Sequence, residues 1–205
     1  MKNILQYAIL IILMAMITES SAQESYAEEV EKFRTERDAM FSDPAKSPLA
    51  TDQLTSFDGL QYFPIDEKYS VKAILKALEN EDTKRLSMSA GGREKFQKYG
   101  EVSFMLDGRE YTMDVYRKAA LPDLSDKQGE LFIPFMDASS GNETSAYGRY
   151  ISVALPTEGN EVSLDFNKAV NPYAAYNSTY SSPLAPDVNT IDLSLLAGER
   201  KYEDR

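Results

Sequence analysis

Between Val102 and Val115, apolar residues alternate into and then out of a single Asp107-Gly108 pair. Alternation at period two sets one side of a strand against a core. Asp-Gly supplies the positive φ that a two-residue hairpin turn demands. This stretch commits the chain to antiparallel sheet. Further strand-length runs follow. Leu131 to Phe135 is apolar throughout, as in a strand buried on both faces. Tyr150 to Leu155 and Val162 to Phe166 bracket Thr157-Glu158-Gly159-Asn160, which predicts a second hairpin. Ile191, Leu193 and Leu195 alternate again. Tyr69 to Leu78 fits a strand (Tyr69, Val71, Ala73, Leu75, Ala77) and a helical face (Val71, Ile74, Leu75, Leu78) alike. Short strands joined by Gly, Asn, Asp and Pro turns predict a mainly β (α+β) fold, an antiparallel β-sandwich or partial barrel.

An N-terminal amphipathic helix is expected ahead of the sheet. Ser25 and Glu28 match a capping box. Tyr26, Val30, Phe33, Arg37 and Met40 then recur at three- and four-residue steps until Asp43-Pro44 stops the helix. The narrow stripe and acidic outer side suit packing against the domain rather than a membrane. Pro48 to Phe57 reads as a short helical turn, and the charged tail Glu199 to Arg205 is expected to fray. The domain reading is therefore residues 23–45 for the helix and 46–205 for the β domain.

Residues 1–22 read as a secretory signal peptide. Lys2 is followed by an apolar run from Tyr7 to Ile17, and Ser20 and Ala22 occupy the small-residue positions before Gln23. The run is shorter than the roughly 20 apolar residues a membrane span needs. An exported product, periplasmic or secreted, is expected, without stable membrane insertion after cleavage; an uncleaved anchor is the alternative.

Composition narrows the chemistry. With 22 basic and 33 acidic residues the net charge is -11, which disfavours nucleic acid and anionic lipid as partners. The chain has neither cysteine nor histidine. Ser-His triads, thiol nucleophiles and His/Cys zinc sites are excluded within one chain. Neither a cofactor nor a metal is expected. The stretch beginning at Asp137 lacks the ligand spacing of a calcium loop, because its twelfth position is Gly148.

The candidate ligand-binding residues are Asp137, Ser140, Glu143, Arg149, Tyr150, Asp165, Asn167, Asn171, Tyr176 and Asn177. Asp137, Ser140 and Glu143 follow a buried strand on a loop, where binding residues concentrate; the same residues also serve as turn chemistry. Arg149 offers a planar five-donor fork that clamps a ligand carboxylate or closes a buried ion pair with Asp137, Glu143 or Asp165. Asp165 and Asn167 flank Phe166 and so point the same way if the strand continues. Asn171, Tyr176 and Asn177 suit a sugar-like ligand, or equally a loop stapled to the sheet.

On a set of segments the chain resembles the bacterial and archaeal proteins grouped as domain of unknown function 1684, from about Phe57 to Tyr202. These segments are Gly59-Leu60, Tyr62-Phe63-Pro64, Leu131-Phe132-Ile133-Pro134-Phe135 with Asp137, Ser140-Gly141, Glu143-Thr144, Gly148-Arg149-Tyr150 and Leu164-Asp165-Phe166-Asn167. Asn171-Pro172, Ala175-Tyr176-Asn177, Pro183-Leu184, Asn189 and Ala197-Gly198-Glu199 complete them. The resemblance implies a strand at Tyr69 to Leu78 and a shared polar patch, but no reaction. Relatives commonly carry Cys where Ala174 and Ser182 stand, which implies a paired structural contact such as a disulfide, lost here as a pair. They also tend to Tyr-Gly-Gly where Ser145-Ala146-Tyr147 stands, which implies a bulkier loop floor in this chain.

Three readings stay open. One is a non-catalytic exported protein that binds a small polar or sugar-like ligand, or a partner, through the Asp137–Asn177 loops. The second is a carboxylate-dependent hydrolase with Glu143 and Asp165 flanking a glycosidic or ester bond. The third is a purely structural motif.

Overall fold

Period-two burial runs through residues 71–75, 100–106 and 161–165. A computed structural model describes residues 26–117 and 130–203; Ser25 of the capping box and the expected signal peptide lie outside them. The strands are β1 (Ser70–Ser87), β2 (Arg93–Leu106), β3 (Arg109–Arg117), β4 (Glu130–Asp137), β5 (Arg149–Ala154), β6 (Glu161–Asp165) and β7 (Thr190–Ile191). The sheet runs β5-β4-β3-β2-β1-β6, all antiparallel, with the short β7 added in parallel to β4. The edge strands β5 and β6 approach each other, so the sheet curls into a nearly closed barrel.

From Ser70 to Leu78 this segment belongs to β1, as the family resemblance implies, while Tyr69 ends a 3-10 turn just ahead of it. The β2–β3 hairpin turns at Asp107 and Gly108, with φ of 47° and 75°. The residues around Thr157-Glu158-Gly159-Asn160 differ from expectation. The strands they join form no hairpin ladder: β5 pairs with β4, and β6 pairs with β1 from Ser70↔Asp165 to Ile74↔Glu161. The connection crosses the gap in the barrel instead, and the Asn160 carbonyl accepts from the Leu75 amide at 2.8 Å.

The barrel interior holds Leu131, Ile133, Phe135, Met113, Val115, Ile151, Leu164 and Phe166. The outward side of the same strands is also covered: Phe132, Tyr116 and Tyr150 pack with Leu86, Phe96 and Val170. This double burial is why Leu131 to Phe135 carries no polar alternation. A third cluster of Phe41, Leu49, Leu60, Tyr173 and Tyr176 fastens the helix to the barrel.

That helix, α1, spans residues 26–42, and α2 spans Thr51–Ser56. Val30 and Phe41 are fully buried. The helix ends as Asp43 turns the chain, its carboxylate accepting from the Ala45 amide at 3.0 Å and its carbonyl from Ser47 at 2.8 Å. Polar residues aim the helix. The Tyr26 hydroxyl donates to Asp165 at 2.9 Å, Arg34 donates to the Phe63 carbonyl at 3.0 Å, and Arg37 is buried beneath the helix.

Candidate functional site

Nine of the ten expected site residues fall into three environments. Asp137 and Arg149 form a sealed ion pair of 2.7 Å, both side chains essentially without solvent contact. Arg149 also donates to the Leu195 carbonyl at 2.8 Å, to the Ala197 carbonyl, and more weakly to the Glu199 carbonyl at 3.4 Å. Asp137 accepts from the Ser139 amide at 2.8 Å, the Ser139 hydroxyl and the Leu195 amide. Burial lowers the pKa of Arg149, while Asp137 and Glu199 pull it upward. Of the alternating run only Thr190–Ile191 is strand; the Leu193 carbonyl still accepts from the Ala138 amide at 3.2 Å, and the Leu195 and Ala197 carbonyls turn to Arg149. Ser140 closes the turn by accepting from the Asp137 amide at 3.1 Å, and the Tyr150 hydroxyl donates to the Pro183 carbonyl at 2.5 Å.

Asp165 and Asn167 occupy a second place, under the start of α1. They do meet, but not by strand alternation, because β6 ends at Asp165 and residues 166–168 form a 3-10 turn that Asp165 caps. Asn167 donates to the Tyr26 hydroxyl at 2.8 Å and the Asp66 carbonyl at 2.9 Å, and its Oδ1 accepts from the Asp66 amide at 3.0 Å. Burial, then Asp165, raises the Tyr26 phenol pKa well above its ordinary value.

The third place is open. A cleft of about 360 Å³ lies between residues 56–61, the 142–143 loop and the 199–203 tail. Glu143, Asn171 and Tyr176 line it, with Glu199, Lys201 and Tyr202. Glu143, Arg200 and Lys201 are exposed, whereas Asn171, Tyr176 and Glu199 form a buried floor. Glu199 is the hub of that floor. One of its oxygens accepts from Arg37; the other accepts from the Tyr176 hydroxyl and from the Asn171 amide, the last at 2.7 Å. Burial opposes the Arg37 cation, but Glu199 prevails and its pKa is raised. Burial, reinforced by Glu199, drives the Tyr176 phenol pKa well up. Asn171 donates to the Arg200 carbonyl at 2.8 Å, yet its buried Oδ1 has no hydrogen-bond partner among the described residues. Buried acceptors without donors are uncommon and call for an explanation.

Asn177 is spent on holding its loop to the segment after α1. It donates to the Pro48 carbonyl at 3.0 Å and accepts from the Thr179 amide and hydroxyl, an Asx turn. The tail expected to fray is instead pinned through residue 201: Glu199, Arg200 and Lys201 donate their amides to the carbonyls of Ala169, Gln61 and Glu143.

Residues 55–200 match the model of a family described as a protein of unknown function, DUF1684. The chain belongs to the DUF1684 family. Its fold is similar to the solution NMR structure of an uncharacterised protein of Haloarcula marismortui. That similarity has a TM-score of 0.68 at 32% identity and covers 88% of this chain and 96% of the other. A comparison with curated proteins finds no match. Two positions at which the resemblance implied a departure can now be placed. Ala174 and Ser182 are neighbours, the Ala174 amide donating to the Ser182 hydroxyl at 3.3 Å. In the Ser145-Ala146-Tyr147 departure the bulk points outward: Tyr147 is 38% exposed and is not a lining residue of the cleft.

Glu143 lines the cleft and Asp165 does not, so the carboxylate pair expected of a hydrolase does not assemble there. Among the described residues no cluster of carboxylates is arranged to hold a metal ion, and no helix is long and apolar enough to cross a membrane. Three important residues lie outside the sequence-derived candidates. Glu199 and Arg37 are 162 positions apart, and only the packing of α1 on the tail brings them together. Asn189 is the third: it donates to the Asp114 and Pro134 carbonyls and accepts from the Asp114 amide at 2.7 Å, tying β3 to β4.

Proposed function

We propose that this DUF1684 member is a non-catalytic exported protein that holds a small polar, sugar-like ligand in the cleft bounded by Glu143, Lys201 and Tyr202. The signal-peptide pattern in residues 1–22 supports export. One observation carries the binding reading: Asn171 lines the cleft floor with a buried Oδ1 that no donor among the described residues satisfies. A ligand hydroxyl or amine supplies the missing donor once the side chains that seal this oxygen part to admit it. The exposed carboxylate of Glu143 and the cations of Arg200 and Lys201 give the rim both signs of charge, and Phe57 and Tyr202 offer apolar faces. That mixture suits a polyol ring better than a fully apolar ligand. Occupancy of the floor supports the non-catalytic reading. Both oxygens of Glu199 are engaged by Arg37, Tyr176 and Asn171, so it is poorly placed to abstract or deliver a proton.

A thermal-shift screen against envelope saccharides and small hydroxy acids tests this. A ligand at 100 times its dissociation constant adds about 2.7 kcal/mol of stability. A rise in Tm is expected with at least one compound, and it should shrink in Glu143→Gln and Lys201→Ala. No rise with any compound, or a rise untouched by both variants, rejects the cleft. Turnover of a glycan or ester that Glu143→Gln abolishes would replace binding by hydrolysis.

A further inference from the structure

The ladder between β1 and β2 creates an unbalanced charge. Beyond the irregularity between Ala77 and Asp82, Arg85 stands directly opposite Lys95, and Ser87 opposite Arg93. Opposed residues share a sheet face, and like charges so placed destabilise the pair. Arg85, Ser87, Arg93 and Lys95 therefore share one face, on which the three cations are exposed. Leu86 and Phe96 occupy the other face and are buried against Tyr116 and Phe132. On that other face the cations are matched: Lys84 pairs with Asp82 and Lys98 with Asp114, each at 2.6 Å. Arg85, Arg93 and Lys95 have no carboxylate partner among the described residues. In a chain of net charge -11, three adjacent unmatched cations run against the average.

A cleft of about 200 Å³ opens beside them, lined by Arg85, Ser87, Arg93, Pro186 and Asp187 among others. Arg85 leans toward Arg93, donating to its carbonyl at 3.4 Å. The far wall is tied down, with the Leu184 amide donating to the Ser87 carbonyl at 2.8 Å and Met88 bridged to Pro183. Asp187 is the one carboxylate lining the cleft and is outnumbered by the two guanidinium groups.

We propose that this cleft binds a tetrahedral oxyanion of the phosphate or sulfate type, with Arg85 and Arg93 as the clamp and the Ser87 hydroxyl as a further donor. Guanidinium forks match such oxyanions two oxygens at a time. A bound dianion also removes the repulsion between Arg85 and Lys95. The site shares no lining residue with the larger cleft and stands independently of the function proposed for it. The phosphate is either a free ion or the head of a phosphoester lipid.

The test is an amide NMR titration of the full mature chain with inorganic phosphate, against sodium chloride at equal ionic strength, repeated with Arg85→Gln/Arg93→Gln. Saturable, phosphate-specific shifts are expected at residues 85–95 and 184–187, with a rise in Tm, and both should vanish in the double variant. Because both arginines are exposed, the variant should keep the wild-type spectrum elsewhere. Identical responses to phosphate and chloride overturn the proposal, as does a phosphate response mapping to other residues or surviving in the variant. Co-sedimentation with phosphatidylglycerol against phosphatidylcholine vesicles then separates the sources. Arginine-dependent retention on the anionic vesicles alone identifies a lipid head, and phosphate binding without retention identifies a free ion.

Discussion

Arg149 and Lys201 are both cations near the 199–203 tail, yet they live under opposite physical rules. Arg149 is sealed, paired with Asp137, and its terminal nitrogens also donate to the carbonyls that follow β7. Lys201 is exposed on the rim of a cleft and contributes its backbone amide, not its amine, to the fold. Residue type therefore does not distinguish architecture from site; water access does. Much of the polar motif between Leu131 and Asn189 is architecture by this criterion. Asp137, Ser140, Tyr150, Asn167 and Asn177 close turns or tie segments together. Glu143 is the exposed charge among the ten candidates that borders the larger cleft.

The comparison breaks most visibly at its sealed end. Removing one partner of a buried ion pair leaves an uncompensated charge, costing about 3–5 kcal/mol. Arg149→Ala should lose that much in urea unfolding. In a double-mutant cycle with Asp137→Ala the losses should fall well short of additive, since the two side chains act as one unit. A stability loss below about 1 kcal/mol in the single variant would mean the pair is not sealed.

Glu199→Gln should cost somewhat less, about 2–4 kcal/mol, because Arg37 keeps a hydrogen-bond acceptor but loses its counter-charge. The same change should loosen the 199–203 tail, read as faster amide exchange at Arg200 and Lys201. Retained protection there would show that Glu199 does not hold the tail.

Alkaline pH probes the same floor. The Tyr176, Tyr62, Tyr26 and Tyr116 phenols all have pKa values pushed above 10, with burial the largest cause in each. In the unfolded chain they ionise near their ordinary pKa of about 10. The folded state then binds more protons, so stability present below about pH 10 falls as pH rises beyond it. Tyrosinate absorbance should rise late in the folded protein, and Tyr176→Phe should flatten the alkaline loss. An alkaline loss equally steep in Tyr176→Phe would assign it to other groups. The smallest expected effect is at the open end. Glu143→Gln should change stability by no more than about 0.5 kcal/mol, measurable by calorimetry, while weakening ligand binding.

Features set by local chemistry were legible in the sequence. The Asp107-Gly108 turn and the stop at Asp43-Pro44 depend on neighbours a few residues away, and the burial of Leu131 to Phe135 shows in their unbroken apolar run. The helical stripe was partly legible: Val30 and Arg37 are buried as read, but Arg34 and Phe41 are buried too. What the pattern could not supply was partnership. Whether β6 joins β5 or β1 is decided by the closing curl of the sheet. Asp165 ends its strand because it caps a turn, and Glu199 looks like part of a charged tail until Arg37 arrives from the helix. The site divided for the same reason, since Asp165 and Glu143 carry the same chemical group and only packing sets them apart.

The most direct test of that division is urea unfolding of Arg149→Ala beside Lys201→Ala under identical conditions. The expected result is a destabilisation of about 3–5 kcal/mol for Arg149→Ala and at most about 0.5 kcal/mol for Lys201→Ala. Equal losses in the two variants would contradict the separation of a sealed scaffold from an open cleft.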